Sequence, residues 1–193
     1  MPATTCIGVK NVLSMSMRAT SARVPHASTT ASAIRLASVG ACAGFGLSLV
    51  LGCDMAVAAG NAYFTTAYAS IALSGDGGVS WFLPRILGRR KAFELLLLAD
   101  RFGADEALRL GVVNRVVPPE ELEAATDALV QRFVKGPREA YAEMKRLLVA
   151  SPEQSLSAQL QLEAEAFARS STRPNFDEGI RAFLEKRKPG FNA

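Results

Sequence analysis

The spacing of apolar residues changes character twice along the chain. Up to about residue 37 the sequence is rich in Ser, Thr, Ala, Arg and Met and has no helical or strand period, so this segment is expected to be atypical and poorly ordered. Over residues 38–118 short apolar runs alternate with glycine-rich turns, as in an α/β unit. From residue 119 onward the pattern is helical throughout. We therefore predict three regions, 1–37, 38–118 and 119–193.

The apolar runs of the α/β region are short enough for strands and small helices. Pro84 is expected to kink or split the helix that contains it. The predicted elements are a strand over 34–40, a buried helix over 44–52, strands over 54–59 and 62–67, helices over 79–88, 89–100 and 103–111, and a strand over 112–118. The predicted helices of the last region cover 119–136, 137–151, 152–170 and 176–191, most of them opened by proline and the last ended by Pro189 and Gly190.

Charge and composition exclude several classes of function. The net charge of +4 arises in residues 1–39, which hold four basic residues and no acid, while the remaining basic and acidic residues balance. This origin gives no evidence for a nucleic-acid face. The chain has no uninterrupted apolar run of eighteen residues that would predict a membrane span. A zinc site or a Ser-His-Asp triad would have to use His26, the single histidine.

The three cysteines form no CxxC pair and are odd in number, which favours a reducing compartment over a secreted disulfide framework. The cytoplasm is the predicted location. The acid-free composition of residues 1–37 would also suit a mitochondrial transit peptide, which would place the protein in the matrix.

The stretch "GACAGFG", residues 40–46, could carry chemistry at the start of the buried helix. The first N–H groups of a helix lack intrahelical partners and carry the positive end of its dipole. The Phe45 N–H, between Gly44 and Gly46, could therefore stabilise a developing oxyanion. Small residues at these positions would equally allow tight strand–helix packing. The residues alone leave both interpretations open.

The stretch "SGDGGVSWFLPR", residues 74–85, raises a similar question about Asp76. An aspartate in a glycine-rich loop before a helix is typical of an N-cap. The glycines also suit close approach to a ligand, and apolar neighbours would suit a catalytic carboxylate. Ser48 is interpreted as a core serine bonded to its own helix, and Tyr68 and Trp81 as core or pocket residues.

The sequence from Gly40 to Pro118, "GACAGFGLSLVLGCDMAVAAGNAYFTTAYASIALSGDGG" and onward, together with the tail "FDEGIRAFLEKRKPGF", resembles the enoyl-CoA hydratase/isomerase (crotonase) family. The resemblance implies an α/β fold, a spiral of β-β-α units followed by a C-terminal helical trimerisation region. It also implies acyl-CoA thioesters as substrates, an enolate held by two backbone N–H groups, and a homotrimer or hexamer. It implies no metal or redox cofactor; the charge distribution and the lack of a long apolar run predict no nucleic-acid or membrane partner.

By the same resemblance, the second oxyanion N–H falls on Phe45, with Gly44 beside the substrate. Ser48 and Tyr68 occupy the positions where hydratases carry two glutamates, which disfavours two-glutamate hydration. Asp76 falls where a subset of isomerases carries a single catalytic acid, and where aryl-CoA dehalogenases carry a nucleophilic aspartate. The predicted substrate-binding residues are Gly44, Tyr68, Gly77 and Trp81, with Phe183 and Lys186 closing the CoA site of a neighbouring subunit.

Residues 1–35 contain nothing similar to the loop that carries the family's first oxyanion N–H, so the spiral is expected to be incomplete at its start. The leading hypothesis is double-bond isomerisation of an enoyl-CoA by Asp76. The alternatives are an inactive family remnant that only oligomerises, and an aryl-CoA dehalogenase in which Asp76 is the nucleophile.

Overall fold

The structure is a computed structural model, and it describes residues 37–38 and 40–192. The chain divides into two compact units, whose described parts cover residues 37–127 and 128–192. We call them the α/β unit and the helical unit. The predicted atypical segment, 1–37, lies outside the described residues apart from Ala37, as does His26.

The α/β unit contains two small sheets. In one, β3 pairs in parallel with both β1 and β6; in the other, β4 pairs in parallel with β2 and antiparallel with β5. The strands are β1 (Ala37–Ser38), β2 (Ala41–Ala43), β3 (Val57–Ala59), β4 (Tyr63–Thr65), β5 (Phe102–Gly103) and β6 (Arg115–Val117). The helices are α1 (Phe45–Leu51), α2 (Val79–Leu87), α3 (Arg89–Leu98) and α4 (Ala104–Arg109), with 3₁₀ turns over Ala69–Ile71 and Pro119–Glu121.

The core of the α/β unit forms where α1, α2 and β4 meet. Leu47, Phe64 and Leu83 are completely buried, and Phe64 stacks on Phe102 of the adjacent strand with ring centroids 5.6 Å apart. The predicted burial of α1 is confirmed for Leu47, Ser48, Val50 and Leu51. Each buried apolar side chain of this size stabilises the fold by roughly 1.5–3 kcal/mol.

Two adjacent threonines fix the chain that leads from β4 toward the candidate site. The hydroxyl of Thr65 donates to the Ala99 carbonyl at 2.8 Å, and that of Thr66 donates to the Leu95 carbonyl at 2.7 Å. Both acceptors lie at the carboxyl end of α3, where the Leu95 carbonyl also accepts from the Ala99 N–H at 3.2 Å. These bonds hold the segment that precedes Tyr68 against a rigid helix.

The helical unit consists of the end of α5 (Leu122–Val134), followed by α6 (Arg138–Ala150), α7 (Leu156–Ser171) and α8 (Pro174–Leu184), with a 3₁₀ turn over Ser151–Glu153. Glu143 of α6 accepts two hydrogen bonds from Arg169 of α7, at 3.0 and 3.1 Å. In the tail, the Asn192 side chain donates to the Gly136 carbonyl at 2.7 Å. No helix among the described residues is both long and apolar enough to cross a membrane.

The observed elements correct several predictions. Strands β2 and β5 were not predicted, because β2 lies in the small-residue stretch that we interpreted as the turn into α1, and Gly103 of β5 lies in the predicted helix over 103–111. Pro84 does not split its helix, which continues over Val79–Leu87, because a proline removes only one hydrogen bond; the break comes at Gly88, where φ is +75°. The last helix ends at Leu184, before Pro189.

Candidate active site

The glycine-rich loop at residues 75–78 lies directly against the first turns of α1. Gly77 has φ +59°, and a Cβ placed on it would lie 2.7 Å from Phe45 Cδ2 and 2.8 Å from Ser48 Cβ. Glycine is therefore required both by the backbone conformation and by the close approach to the helix. This packing brings Asp76 next to the amino-terminal end of α1.

Asp76 is held by two hydroxyl groups. The Tyr68 hydroxyl donates to Asp76 Oδ1 at 2.6 Å, and Ser48 Oγ donates to the Asp76 main-chain carbonyl at 2.9 Å. The Asp76 residue is exposed. No described residue hydrogen-bonds to Asp76 Oδ2. One carboxylate oxygen is therefore fixed, while the other is available to a reacting group.

The interpretation of Asp76 as the helix cap is wrong. The N-cap residue of α2 is Gly78, at φ +88°, and no side chain caps the helix. Asp76 contributes only its main-chain carbonyl, which accepts from the Val79 N–H at 3.1 Å. Gly77 and Gly78 both have positive φ, and the Asp76 carboxylate bonds to the Tyr68 hydroxyl and not to the first N–H groups of α2.

Tyr68 is buried, with 8% of its surface exposed. Burial raises the pKa of the Tyr68 hydroxyl above its usual value of 10.0, and the hydrogen bond to the Asp76 carboxylate raises the pKa further. The hydroxyl therefore stays protonated and acts as a donor near neutral pH. The ring lies in the core, and its predicted contact with substrate stays a prediction.

Phe45 is the first residue of α1, and Gly44 is the N-cap with φ +54°. The Gly44 N–H donates to the Thr65 carbonyl at 3.1 Å. No loop or cap hydrogen bond among residues 37–38 and 40–192 uses the Phe45 N–H. Its position at the positive end of the helix is the arrangement that an oxyanion would need.

The other predicted site residues are not brought to Asp76 by contacts within the α/β unit. Trp81 is 51% exposed, and the Arg85 guanidinium carbon lies 3.3 Å from its ring centroid. Ile71 and Leu73 are also exposed, so the apolar enclosure expected around Asp76 does not form within this unit. Phe183 and Lys186 belong to the helical unit, where Phe183 is 80% exposed; their role at a neighbouring site stays a prediction.

The resemblance placed Ser48 at a site position, but the sequence reasoning missed its hydrogen bond to Asp76. Its hydroxyl does approach the Gly44 carbonyl of its own helix, but only at 3.4 Å, while the Asp76 carbonyl is at 2.9 Å. The Tyr68 hydroxyl lies 3.2 Å away. A hydroxyl on an otherwise apolar buried helix was the available signal, because such a group needs a partner from elsewhere in the fold. In the described part of the chain, no cluster of three or more His, Cys, Asp or Glu could hold a metal ion.

Comparison with known proteins identifies the family of the chain. Residues 20–193 match the sequence profile of the family described as enoyl-CoA hydratase/isomerase. A probable enoyl-CoA hydratase of Rhodobacter capsulatus is 40% identical over 152 residues, covering 79% of this chain and 59% of the relative. The 1,2-epoxyphenylacetyl-CoA isomerase of Escherichia coli is 33% identical, with coverage of 79% and 58%.

A solved structure of an enoyl-CoA hydratase from Polaromonas superposes with a TM-score of 0.75 at 40% identity, covering 78% of this chain and 58% of that one. The chain belongs to the enoyl-CoA hydratase/isomerase family and has the crotonase-like α/β fold. It spans less than two thirds of the length of these relatives.

Proposed function

We propose that this protein processes acyl-CoA thioesters and moves the double bond of an enoyl-CoA, with Asp76 as the single acid/base. The observation that carries the proposal is the placement of the Asp76 carboxylate, with Oδ1 fixed by Tyr68 and Oδ2 open, beside the amino-terminal end of α1. A candidate base and a candidate oxyanion donor are then neighbours, which is the geometry that proton abstraction next to a carbonyl needs.

In the proposed reaction, Asp76 Oδ2 removes a proton from C2 of a 3-enoyl-CoA. The electron pair moves onto the thioester oxygen, which accepts a hydrogen bond from the Phe45 N–H. The enolate then collapses as Asp76 returns the proton to C4, which gives the conjugated 2-enoyl-CoA. The proton count balances, because the same carboxyl group takes and returns the proton. Gly44, Gly77 and Trp81 are proposed to contact the substrate.

Two features favour isomerisation over hydration. Ser48 and Tyr68 occupy the positions at which hydratases carry their glutamates, and both hydroxyls are engaged with Asp76. The names of the relatives do not decide between the two reactions, since they include both a hydratase and an isomerase. Hydration would need a second acid/base group to activate and deliver water, and α1 (Phe45–Leu51) carries no ionisable side chain.

The proposal is tested by following the absorbance of the conjugated thioester with a 3-enoyl-CoA as substrate. We expect Asp76→Asn to lower turnover by about 10²- to 10⁴-fold, since an amide cannot exchange the proton. Asp100→Asn is the matched control, because Asp100 is an exposed aspartate of the same unit, and it should keep wild-type turnover. Equal turnover in wild type and Asp76→Asn would contradict the proposal.

Two further outcomes would lead to other functions. An ester trapped on Asp76 with an aryl-CoA substrate would identify the carboxylate as a nucleophile, as in a dehalogenase. A folded protein that oligomerises but neither binds nor turns over CoA esters would be a non-catalytic member of the family.

We also propose that the chain assembles as a homotrimer or hexamer. The support is the number of large apolar side chains left exposed on α7 and α8, among them Phe167, Phe183 and Leu184 at 71%, 80% and 73%. Exposed apolar surface of this kind favours association. Phe183 and Lys186 would then lie at the CoA site of a neighbouring copy.

A further inference from the structure

We propose that Tyr68 is a positioning residue for Asp76: its hydroxyl fixes Oδ1 so that Oδ2 performs the proton transfer, while Ser48 holds the Asp76 main chain through its carbonyl. This inference rests on the proposed function, because it assigns a second residue to the same reaction. It differs from the predicted role of Tyr68 as a residue lining the substrate pocket, since the hydroxyl group orients Asp76 and the ring does not contact substrate.

The first support is the geometry of the three groups. Each hydroxyl has one proton to donate. The Tyr68 proton goes to Asp76 Oδ1 over 2.6 Å, and the Ser48 proton goes to the Asp76 carbonyl over 2.9 Å. The hydroxyl oxygens lie 3.2 Å apart. Both the carboxylate and the peptide of Asp76 are thus tied to residues that the core holds rigidly.

The second support is the difference in burial between donor and acceptor. Tyr68 and Ser48 are 8% and 1% exposed, whereas Asp76 is exposed on its loop. A buried hydroxyl needs a partner, and an exposed carboxylate on a glycine-rich loop otherwise samples several rotamers. The bond to Asp76 gives the buried Tyr68 hydroxyl a hydrogen-bond partner, and it also restricts the rotamers of the Asp76 side chain. A hydrogen bond to a carboxylate at 2.6 Å falls in the short, charge-assisted class.

The third support is the scarcity of other charges around the pair. α1 carries no charged residue, and the charged residue of α2 is Arg85, which lies over Trp81. α3, which packs against α2, carries Arg89, Arg90, Lys91 and Glu94, of which the last two pair with each other at 2.7 Å. The Asp76 carboxylate is the one charged group among the causes that shift the Tyr68 pKa.

The kinetic test compares Tyr68→Phe, which keeps the ring, with Tyr63→Phe as the matched control in the same unit. We expect Tyr68→Phe to lower kcat about ten- to a hundredfold with KM within about twofold, because the lost bond orients the base and does not bind substrate. Ser48→Ala should lower kcat by less, and Tyr63→Phe should change neither constant. Wild-type kcat in Tyr68→Phe would overturn the inference. So would a KM that rises in proportion, since this would mark a substrate contact.

A spectroscopic test needs no turnover. The tyrosinate absorbance of Tyr68, obtained by difference from Tyr68→Phe, should titrate above the usual value of 10.0 in the wild type. In Asp76→Asn the Tyr68 pKa should move part of the way back, since the carboxylate contribution is lost while burial remains. An unchanged Tyr68 titration would show that the contact does not exist in solution.

The two proposals fail in different ways. Asp76→Asn with full turnover would overturn the proposed function, whatever the tyrosine titration shows. An inactive Asp76→Asn together with a fully active Tyr68→Phe would keep the proposed function and remove the positioning role. If Tyr68→Phe does not fold, the same titration in the wild type and Asp76→Asn, compared through the total tyrosinate signal, decides the contact.

Discussion

The α/β unit and the helical unit bury their apolar side chains to very different extents. The core cluster of buried residues runs from Cys42 to Val113, entirely within the α/β unit. In the described helical unit the buried apolar residues are the two small ones, Ala166 and Ala182. Its large apolar residues that remain exposed include Met144, Leu148, Val149, Leu156, Leu160, Phe167, Phe183 and Leu184.

The difference in burial indicates that the two units are stabilised in different ways. The α/β unit is stabilised by its own core, which is why it can hold Asp76, Tyr68 and Ser48 to hydrogen-bond accuracy. The helical unit buries few apolar side chains, carries partly exposed ion pairs such as Glu143–Arg169, at 3.0 Å, and leaves large apolar side chains exposed. The candidate site and the proposed assembly surface therefore lie in units that we expect to respond to different perturbations.

We expect the largest effect of this difference in burial from two matched substitutions, one in each unit, that truncate a phenylalanine to alanine. Phe64→Ala should destabilise the protein by about 3–5 kcal/mol, because Phe64 is completely buried against Phe102. Phe167→Ala should change the stability of the dilute, monomeric protein by less than about 0.5 kcal/mol, since 71% of Phe167 is exposed. Denaturant unfolding followed by Trp81 fluorescence and by circular dichroism measures both.

The protein concentration is the control for this pair. The loss of stability in Phe64→Ala should not depend on protein concentration. Any loss of stability in Phe167→Ala should grow with protein concentration, because assembly stabilises the folded protein by mass action. A loss above about 2 kcal/mol in dilute Phe167→Ala would contradict the comparison.

A smaller effect tests how tightly the α/β unit holds the site loop. Gly77→Ala should destabilise by about 2–4 kcal/mol, since it adds a Cβ 2.7 Å from Phe45 at a backbone φ of +59°. Gly111→Ala is the matched control: its φ is +77°, but a Cβ there meets nothing within 4 Å. Gly111→Ala should lower the stability only by the cost of placing alanine at a positive φ, about 1–2 kcal/mol. Equal losses in the two variants would show that loop and helix are not in close contact.

The periodicity of the sequence was sufficient for the elements that carry several side chains on one face. Helices α1, α3 and α6 and strand β4 were predicted near their observed positions, because their own residues specify them. Strands β2 and β5 were not, because their residue types also suit a turn and a helix start, and they form strands through pairing with β4. The strand conformation of these residues depends more on the adjacent strand than on their own residue types.

The same division holds for the candidate site. Asp76 could be singled out because its loop is unusual in itself, and Phe45 because of the glycines beside it. The hydrogen bonds from Ser48 and Tyr68 to Asp76 could not be predicted, because they join residues that are 28 and 8 positions apart in the sequence. The cap interpretation failed because a cap depends on the φ values of Gly77 and Gly78, which the residue types permit but do not dictate.

The smallest expected effect concerns the ion pairs of the helical unit. Hydrogen bonds from Arg169 and Arg146 lower the pKa of Glu143 from its usual 4.5 to about 2. A carboxyl group whose pKa is lower in the folded state stabilises the fold above its unfolded pKa and loses this contribution as the pH falls. The stability of the helical unit should therefore decline between about pH 4.5 and pH 2.

Glu143→Gln should remove part of that decline and weaken the unit by less than about 1 kcal/mol at neutral pH, because the ion pair is partly solvated. Glu163→Gln, on α7, is the control: Glu163 makes no ion pair among the described residues, so its pH dependence should match the wild type. Urea unfolding by circular dichroism at several pH values measures the effect. Since Trp81 reports the α/β unit alone, its unfolding midpoint should not respond to Glu143→Gln. A shift in the Trp81 midpoint as large as that in the dichroism would mean that the units unfold together, and that the contrast in burial does not make them independent.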